Sequence, residues 1–485
     1  MPKTIAIIGA GMAGLSAGIY ARLNGFDTEI FEMHDKAGGL CTSWKRKGYI
    51  FDGCVHWLTG SSPRSSYYKL WEEIGCVQGK EFFPFDYFTK ITDAKGRLIT
   101  FYTDPDTLEQ ELLTHYPADR KFIRSVARTI RKLMKTEIPV DMNAGVLKDL
   151  PAIIYHFFKF RKSPQQIAQK IHDPDFREVF VKAFEWHGMS LVFNLWAMSL
   201  MAARNGAYPM GGSTGLIRSV TDRYEKLGGK IRYRARVKKI LTGNGKATGI
   251  LLESGEEVRS DIVISAADGY TTIYNWLEGK YTNKRINGLY ANMKPFPPLV
   301  LVSLGVAADY SGVPYTMTFT PEKKIDIAGE TIDRMSYRNY YFDRSLAPAG
   351  KSTFLVMHET KYEYWAELYK DPKAYEAEKE RVGKEITAAL GELYPELPGQ
   401  VEVMDVATPM TFVRYTGNWR GSYEGWLLTS KTMTVQLPQA LPGLADFYMA
   451  GHWISPGGGL PSGLITGRKA IRMICRKEKQ RFTGS

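Results

Sequence analysis

The sequence predicts an α/β protein in which a domain built on a parallel sheet is interleaved along the chain with an α+β domain. Three observations predict it. Thr4–Glu32 reads as strand, glycine turn, helix, strand and terminal acid. A second glycine-rich strand, loop and helix, Phe447–Arg468, closes the other end of the chain. A length of 485 residues exceeds one simple core and fits two intertwined domains.

In the first unit, the apolar run Thr4 to Ile8 is a buried strand leading into Gly9-Ala10-Gly11-Met12-Ala13-Gly14. Leu15, Ile19 and Leu23 recur at helical spacing, with Ala17 and Ala21 beside them, and Gly25 stands where a helix is capped. A second strand, Thr28 to Phe31, ends on Glu32. Gly9 permits the tight turn and Gly11 lets the backbone approach a pyrophosphate. Gly14 allows helix to pack closely on strand, so the helix N-terminus faces the anion. Glu32 is then placed to accept hydrogen bonds from adenosine ribose hydroxyls.

Composition narrows the classes. With 44% hydrophobic and 13% aromatic residues, the chain is a well-packed globular one. Cys41, Cys54, Cys76 and Cys475 lack CxxC or metal-ligand spacing; they read as reduced thiols of a cytoplasmic protein, with no metal site. The first strand starts by Thr4, which leaves no room for a signal peptide. No run of about 18 apolar residues marks a spanning helix; the nearest, Met189–Ala203, is short and interrupted by Asn194. A net charge of +13 suits nucleic acid or an anionic membrane, and no nucleic-acid motif accompanies it.

Beyond Glu32, the pair Gly38-Gly39 allows backbone contact with a bound cofactor, and Gly48–Gly60 reads as a strand ending at Asp52-Gly53, then Val55-His56-Trp57-Leu58. The glycine turn, Glu32, Gly38-Gly39 and this YxFDGxxHW segment together resemble the flavoprotein group of phytoene desaturases, carotenoid isomerases, retinol saturases and amine oxidases. The resemblance implies a Rossmann-like, glutathione reductase-like FAD-binding domain interleaved with an α+β substrate domain. It also implies that the double-glycine loop lies along the pyrophosphate, and that His56 and Trp57 are candidates for the cavity wall near flavin and substrate.

From Pro63 to about Arg120 the pattern is β-rich. Lys121–Lys135 then places Phe122, Val126, Ile130 and Leu133 on one helical face, with only basic charges around it. Val146–Lys162 crowds Ile153, Ile154, Tyr155, Phe157, Phe158 and Phe160 beside Lys159, Arg161 and Lys162. Basic charge beside apolar bulk is what an interfacial, non-spanning membrane contact requires. The expectation is peripheral contact with the inner face of a membrane through about 121–162.

Asp175–Ala203 reads as one helical stretch, broken at Tyr208-Pro209-Met210-Gly211-Gly212, after which Ser213 or Thr214 caps a new helix. This Tyr-Pro-x-Gly-Gly step also resembles the desaturase and isomerase pattern, where the chain returns to the cofactor domain. Lys230–Leu241, Gly249–Leu252 and Ile262–Ala267 are expected strands, with a hairpin turn at Gly243-Asn244-Gly245. By the resemblance, Val237 gives backbone contacts to adenine. Gly269 to about Gly425 is the second visit to the substrate domain. In Phe447–Arg468, Gly457-Gly458-Gly459 lead to Pro461-Ser462-Gly463, a helix start offering free N–H groups. The resemblance puts Gly451 near the pyrophosphate and Gly459, Ser462 and Gly463 near the flavin ring. His452-Trp453 departs from the small residues common there, and His452 is a further candidate for the cavity wall.

The expected segments are 1–60, 205–270 and 426–485 for the FAD domain, and 61–204 and 271–425 for the substrate domain. The function implied is an FAD enzyme acting on carbon–carbon double bonds of an isoprenoid or polyene lipid, by desaturation, saturation or isomerisation. An amine oxidase shares the fold, and so does a flavin-free isoprenoid-binding escort. The intact glycines and Glu32 argue against the escort.

Overall fold

The computed structural model describes residues 2–136, 151, 154–184, 188–432 and 435–484. Strand β1 (Thr4–Ile8), helix α1 (Met12–Leu23) and strand β2 (Asp27–Phe31) form the first unit. β1 lies between β2 and β4 (Ile262–Ser265), with β3 (Lys230–Arg232) outside β2 and β5 (Phe447–Met449) outside β4; every pair is parallel. Alternation along β1 divides the core. Ile5 and Ile7 face the helices, whereas Ala6 and Ile8 join Ile240, Ile250 and Leu252 of the antiparallel hairpin strands Val237–Gly243 and Lys246–Leu252.

On the helical side, α1 packs against α2 (Gly212–Lys226) and α3 (Gly459–Lys477). Small residues set the distances. A Cβ at Gly467 would lie 2.6 Å from the Ala13 carbonyl oxygen, and one at Gly18 would lie 2.6 Å from the Tyr224 ring. The hairpin turns at Asn244 and Gly245, both at positive φ (49° and 71°), as the dipeptide predicts. The run 230–241, expected as one strand, is two. Its first three residues complete the parallel sheet and the rest enters the hairpin, with Arg234 at φ 55° between them.

The second domain is built on a seven-stranded sheet in the order Val401–Ala407, Leu299–Val306, Ser352–Glu359, Met335–Asn339, Thr316–Phe319, Tyr87–Thr92, Leu98–Tyr102. Only the Thr316–Phe319/Tyr87–Thr92 pair is parallel. Leu299–Val306 is buried throughout, as a central strand covered on both faces must be. The parallel sheet draws its strands from 1–60, 205–270 and 426–485; the seven-stranded sheet draws from 61–204 and 271–425. Gly206–Pro209 pairs with both Leu58–Thr59 and Phe82–Phe83 where the chain passes between the two.

Three further expectations change. The stretch 175–203 holds two helices, Pro174–Lys182 and Leu191–Ala202, with 185–187 outside the described residues. Neither Ser213 nor Thr214 caps α2: Gly211 does, at φ 87°, and the side chain of Asp52 receives the Ser213 N–H and hydroxyl (2.6 and 2.5 Å). Finally, the apolar face of helix Arg120–Leu133 is not free for lipid. Ile123, Val126, Ile130 and Leu133 are buried with Ile91, Ile99 and Phe101 of the sheet, and Phe122 meets Phe176 and Phe180 edge-on. Arg124 and Arg131 of its basic side pair with Glu109, Arg131 also with Asp106.

Of the second expected membrane stretch, 146–150, 152 and 153 lie outside the described residues. Helical residues 154–159 bury His156, while Ile154, Tyr155 and Phe158 remain 45%, 60% and 59% exposed. Among the described residues, no helix is long and apolar enough to cross a membrane.

Candidate functional site

Both glycine-rich ends of the chain open onto one cavity of about 460 Å³. Gly9 leaves β1 at φ 96° and donates its N–H to Phe31 O (2.8 Å). α1 then starts at Gly11 without a side-chain cap, and Gly11, Met12 and Ala13 line the cavity. Gly14 does not line it. A Cβ there would lie 1.9 Å from the Gly9 carbonyl oxygen, so this glycine is required by packing.

Across from that turn, Gly38 (φ 133°) and Gly39 (φ 59°) carry the next loop past Gly11, held by the Gly38 N–H on Ala10 O at 2.9 Å. A side chain at Gly38 would meet the Cys41 carbonyl oxygen at 2.5 Å. Glu32 is buried at the end of β2. Its Oε2 accepts the Ala10 N–H (2.7 Å) and its Oε1 the His34 N–H (2.8 Å), which fixes the carboxylate with lone pairs left for hydroxyl donors.

Val237 lines the cavity, at the point where the hairpin register slips between Val237 and Lys239 in a bulge. A π-helical turn, Thr271–Trp276, supplies Thr271, Asn275 and Trp276. Such turns carry no sequence signature and cluster at functional sites. Asp268 holds it, accepting the N–H groups of Thr271 (2.7 Å) and Trp419 (2.9 Å), and burial raises its carboxyl to about 6.

The far end of the chain completes the wall. Gly451 (φ 114°) lies opposite Ala13, and α3 starts after Gly458 with no side-chain cap, presenting Gly459, Leu460 and Gly463. Ser462 is not among the lining residues: its Oγ is 3.3 Å from Ser455 Oγ, and its carbonyl accepts the Thr466 hydroxyl. Two uncapped helix starts thus face one cavity, with left-handed glycines where a Cβ would intrude and a fixed carboxylate beside them. That set fits a dinucleotide, whose pyrophosphate takes the helix N–H groups and whose ribose takes the acid.

The three candidate wall residues separate. His452 lines the cavity, and burial holds its imidazole near pKa 4, neutral at physiological pH. His56 and Trp57 do not line it. The chain bends through 53–56, so Cys54 reaches the cavity while His56 turns to the second domain, with Nδ1 3.2 Å from the Tyr340 hydroxyl. His56 Nε2 is buried without a partner among the described residues, and burial, with Arg338 nearby, keeps the ring neutral. Trp57 packs half-buried on the main core.

Sequence reasoning missed Asp52 as the clamp on α2, the π turn, and the group formed by Cys41, Cys54, Tyr423 and Glu424 on the cavity wall. The one hint at Glu424 is the pair of flanking glycines, Gly421 and Gly425, both at positive φ.

Comparisons with known proteins agree with this geometry. The profile of the family described as flavin containing amine oxidoreductase matches residues 12–474. The chain is 24% identical to the phytoene desaturase (lycopene-forming) of Paracoccus sp. over 507 positions, with 97% of each chain covered. It is 25% identical to the all-trans-retinol 13,14-reductase of Danio rerio, covering 86% of this chain and 77% of that one. The solved cyclohexylamine oxidase from Brevibacterium oxydans superposes with a TM-score of 0.61 at 13% identity, over 99% of this chain and 100% of that one, a likeness of fold.

Proposed function

The chain belongs to the flavin-containing amine oxidoreductase family, and from that premise we propose that it is an FAD-dependent oxidoreductase acting on carbon–carbon double bonds of a polyene or isoprenoid lipid. The observation that carries the reading is the convergence of both uncapped helix starts and Glu32 on one cavity, in a chain that aligns along nearly its whole length with polyene-acting relatives. Gly9, Gly11, Gly38, Gly39 and Gly451 would hold the pyrophosphate, Glu32 the ribose and the Val237 main chain the adenine. Gly459 and Gly463 would face the flavin. Gly14 would serve by packing, and Ser462 through its carbonyl in the first turn of α3. Bound FAD supplies or takes the hydride; the protein binds, orients and excludes water. One relative is named a desaturase and another a reductase, so either direction, or isomerisation, is compatible with the same cavity.

In this reading the lipid is drawn from a membrane surface. The exposed Ile154, Tyr155 and Phe158 support it, with Lys159 and Arg161 each 5.5 Å from the ring centres of Tyr155 and Phe158 respectively. The contact is peripheral, on the cytoplasmic side.

The test is a visible spectrum before and after anaerobic dithionite reduction, followed by polyene lipids added to each state and product analysis. Turnover by the oxidised form identifies a desaturase; turnover only after reduction identifies a saturase or isomerase, separated by product mass. Flavin that ignores polyenes and is reduced by amines refutes the reading in favour of an amine oxidase. A colourless protein that cannot be reconstituted with FAD favours a binding escort.

A further inference from the structure

Glu424 reaches the cavity from the segment that brings the chain back from the second domain. Its main chain lies against the start of α3: a Cβ at Gly458 would sit 2.1 Å from the Glu424 carbonyl oxygen, and one at Gly459 would sit 3.9 Å from Glu424 Oε1. The carboxyl is therefore held over the glycine helix start that, by the function proposed above, faces the flavin.

No hydrogen-bond or ion-pair partner for the Glu424 carboxyl exists among the described residues. The titratable groups that line the cavity with it are the Tyr423 phenol, the Cys54 and Cys41 thiols, the neutral His452 imidazole, the acids Glu32, Glu253 and Asp268, and the cations Arg236 and Lys238 that flank Val237; among the described residues neither cation is paired with Glu424. Tyr423 is committed elsewhere, donating to Gly53 O at 2.9 Å. Glu424 itself is half-buried, and the fully buried acids near the cavity differ in kind. Glu32 takes two main-chain N–H groups, Asp268 takes two, and Asp52 takes three N–H groups and a hydroxyl, so each is fixed as a structural acceptor. An unpartnered carboxyl in a desolvated cavity favours its protonated form. Burial accordingly raises Glu424 to about 7, where acid and base forms are both populated at neutral pH.

We propose that Glu424 is the proton donor and acceptor of this cavity, exchanging a proton with the substrate carbon adjacent to the one that exchanges a hydride with the flavin. The proposal rests on the polyene reading. In saturation, one carbon of the double bond gains a hydride from reduced flavin, its neighbour gains the Glu424 proton, and the carboxylate left behind is reprotonated from water. In desaturation, the carboxylate removes the proton as the hydride leaves for oxidised flavin. Either way two electrons and two hydrogens move between lipid and flavin plus carboxyl.

Infrared pH-difference spectra of the purified holoprotein test the proton store without turnover. A carboxylic-acid carbonyl band titrating near neutrality is expected, lost in Glu424→Gln and shifted in Glu424→Asp. In the second measurement, single turnover of the reduced protein with a polyene in D2O is expected to place two deuterons on adjacent carbons of the product, one carried from the solvent-exchanged N–H of reduced flavin and one from the Glu424 carboxyl. Glu424→Gln, with flavin still bound, is expected to slow that turnover at least about 100-fold. No titrating band that depends on Glu424, or a Gln variant that turns over at the wild-type rate, overturns the proposal. Should Glu424→Gln fail to retain flavin, the Asp variant decides: an unshifted band and unchanged turnover overturn it. Wild-type protein inert towards every polyene refutes the proposed function, whereas the infrared titration still decides by itself whether Glu424 holds the proton.

Discussion

Glu32 Oε2 accepts the main-chain N–H of Ala10 at 2.7 Å, so the acid that ends β2 closes the glycine turn that ends β1. The same carboxylate takes the His34 N–H at 2.8 Å. Replacing Glu32 with Ala removes the acceptor from both N–H groups as well as the expected ribose partner. The expected outcome is purified protein with little or no flavin absorbance, and a loss of about 1–3 kcal/mol in the apoprotein. Glu32→Gln keeps one carbonyl acceptor and falls between the two. Flavin-to-protein absorbance ratios and denaturant midpoints measure both effects.

The crossing of α1 and α3 brings the two helix starts together, and Gly467 sets its distance. A Cβ there meets Ala13 O at 2.6 Å and Ala17 N at 2.9 Å, both main-chain atoms that cannot swing aside. Gly467→Val is expected to cost about 1–3 kcal/mol by overpacking. It is also expected to weaken flavin retention, because it separates the helix starts. Unfolding curves and flavin release on dilution check the two parts separately.

Such features were legible because they are local. Glycines at strand-to-helix turns, an acid after the second strand and an Asn-Gly hairpin each follow from what one residue's backbone allows. Glu424 was not legible: its role depends on the absence of partners, which only the assembled cavity shows. Helix Arg120–Leu133 failed for a related reason. An apolar stripe beside basic residues reads the same whether it faces lipid or a sheet, and Ile91, Ile99 and Phe101 decide for the sheet. His56 and Trp57 were placed by neighbourhood in sequence, but the bend after Asp52 sends Cys54 to the cavity instead.

The half-buried His452 and Glu424 of the cavity wall give opposite pH dependences. His452 titrates near 4 in the folded protein and near 6.5 unfolded, so the unfolded chain binds the proton first. Its stability contribution is present above about 6.5 and is lost as pH falls towards 4, by about 3 kcal/mol at most. Glu424, raised to about 7, works the other way: stability falls as pH rises from about 4.3 through 7. His452→Gln is expected to gain on wild type only below about pH 6.5, and Glu424→Gln only above about 4.3. Apoprotein stability measured across pH for the three proteins checks both signs.

The proposed membrane contact rests on the exposed rings at 155 and 158. Tyr155 and Phe158 are 60% and 59% exposed, and Lys159 and Arg161 lie beside their faces. That arrangement suits rings entering the acyl boundary while the cations meet anionic headgroups. Burying an aromatic ring is worth about 1.5–3 kcal/mol when complete. Tyr155→Ser with Phe158→Ser is therefore expected to weaken binding to anionic vesicles at least about tenfold. Replacing Lys159 and Arg161 with Gln should instead flatten the salt dependence of binding. Because these side chains are exposed, the thermal midpoint should change little in either variant. Arg131→Gln is the contrast: its guanidinium is already paired with Asp106 and Glu109, so vesicle binding should be unaffected. Vesicle sedimentation at two ionic strengths distinguishes these outcomes, and unchanged binding by the Ser double variant would overturn the proposed contact through this turn.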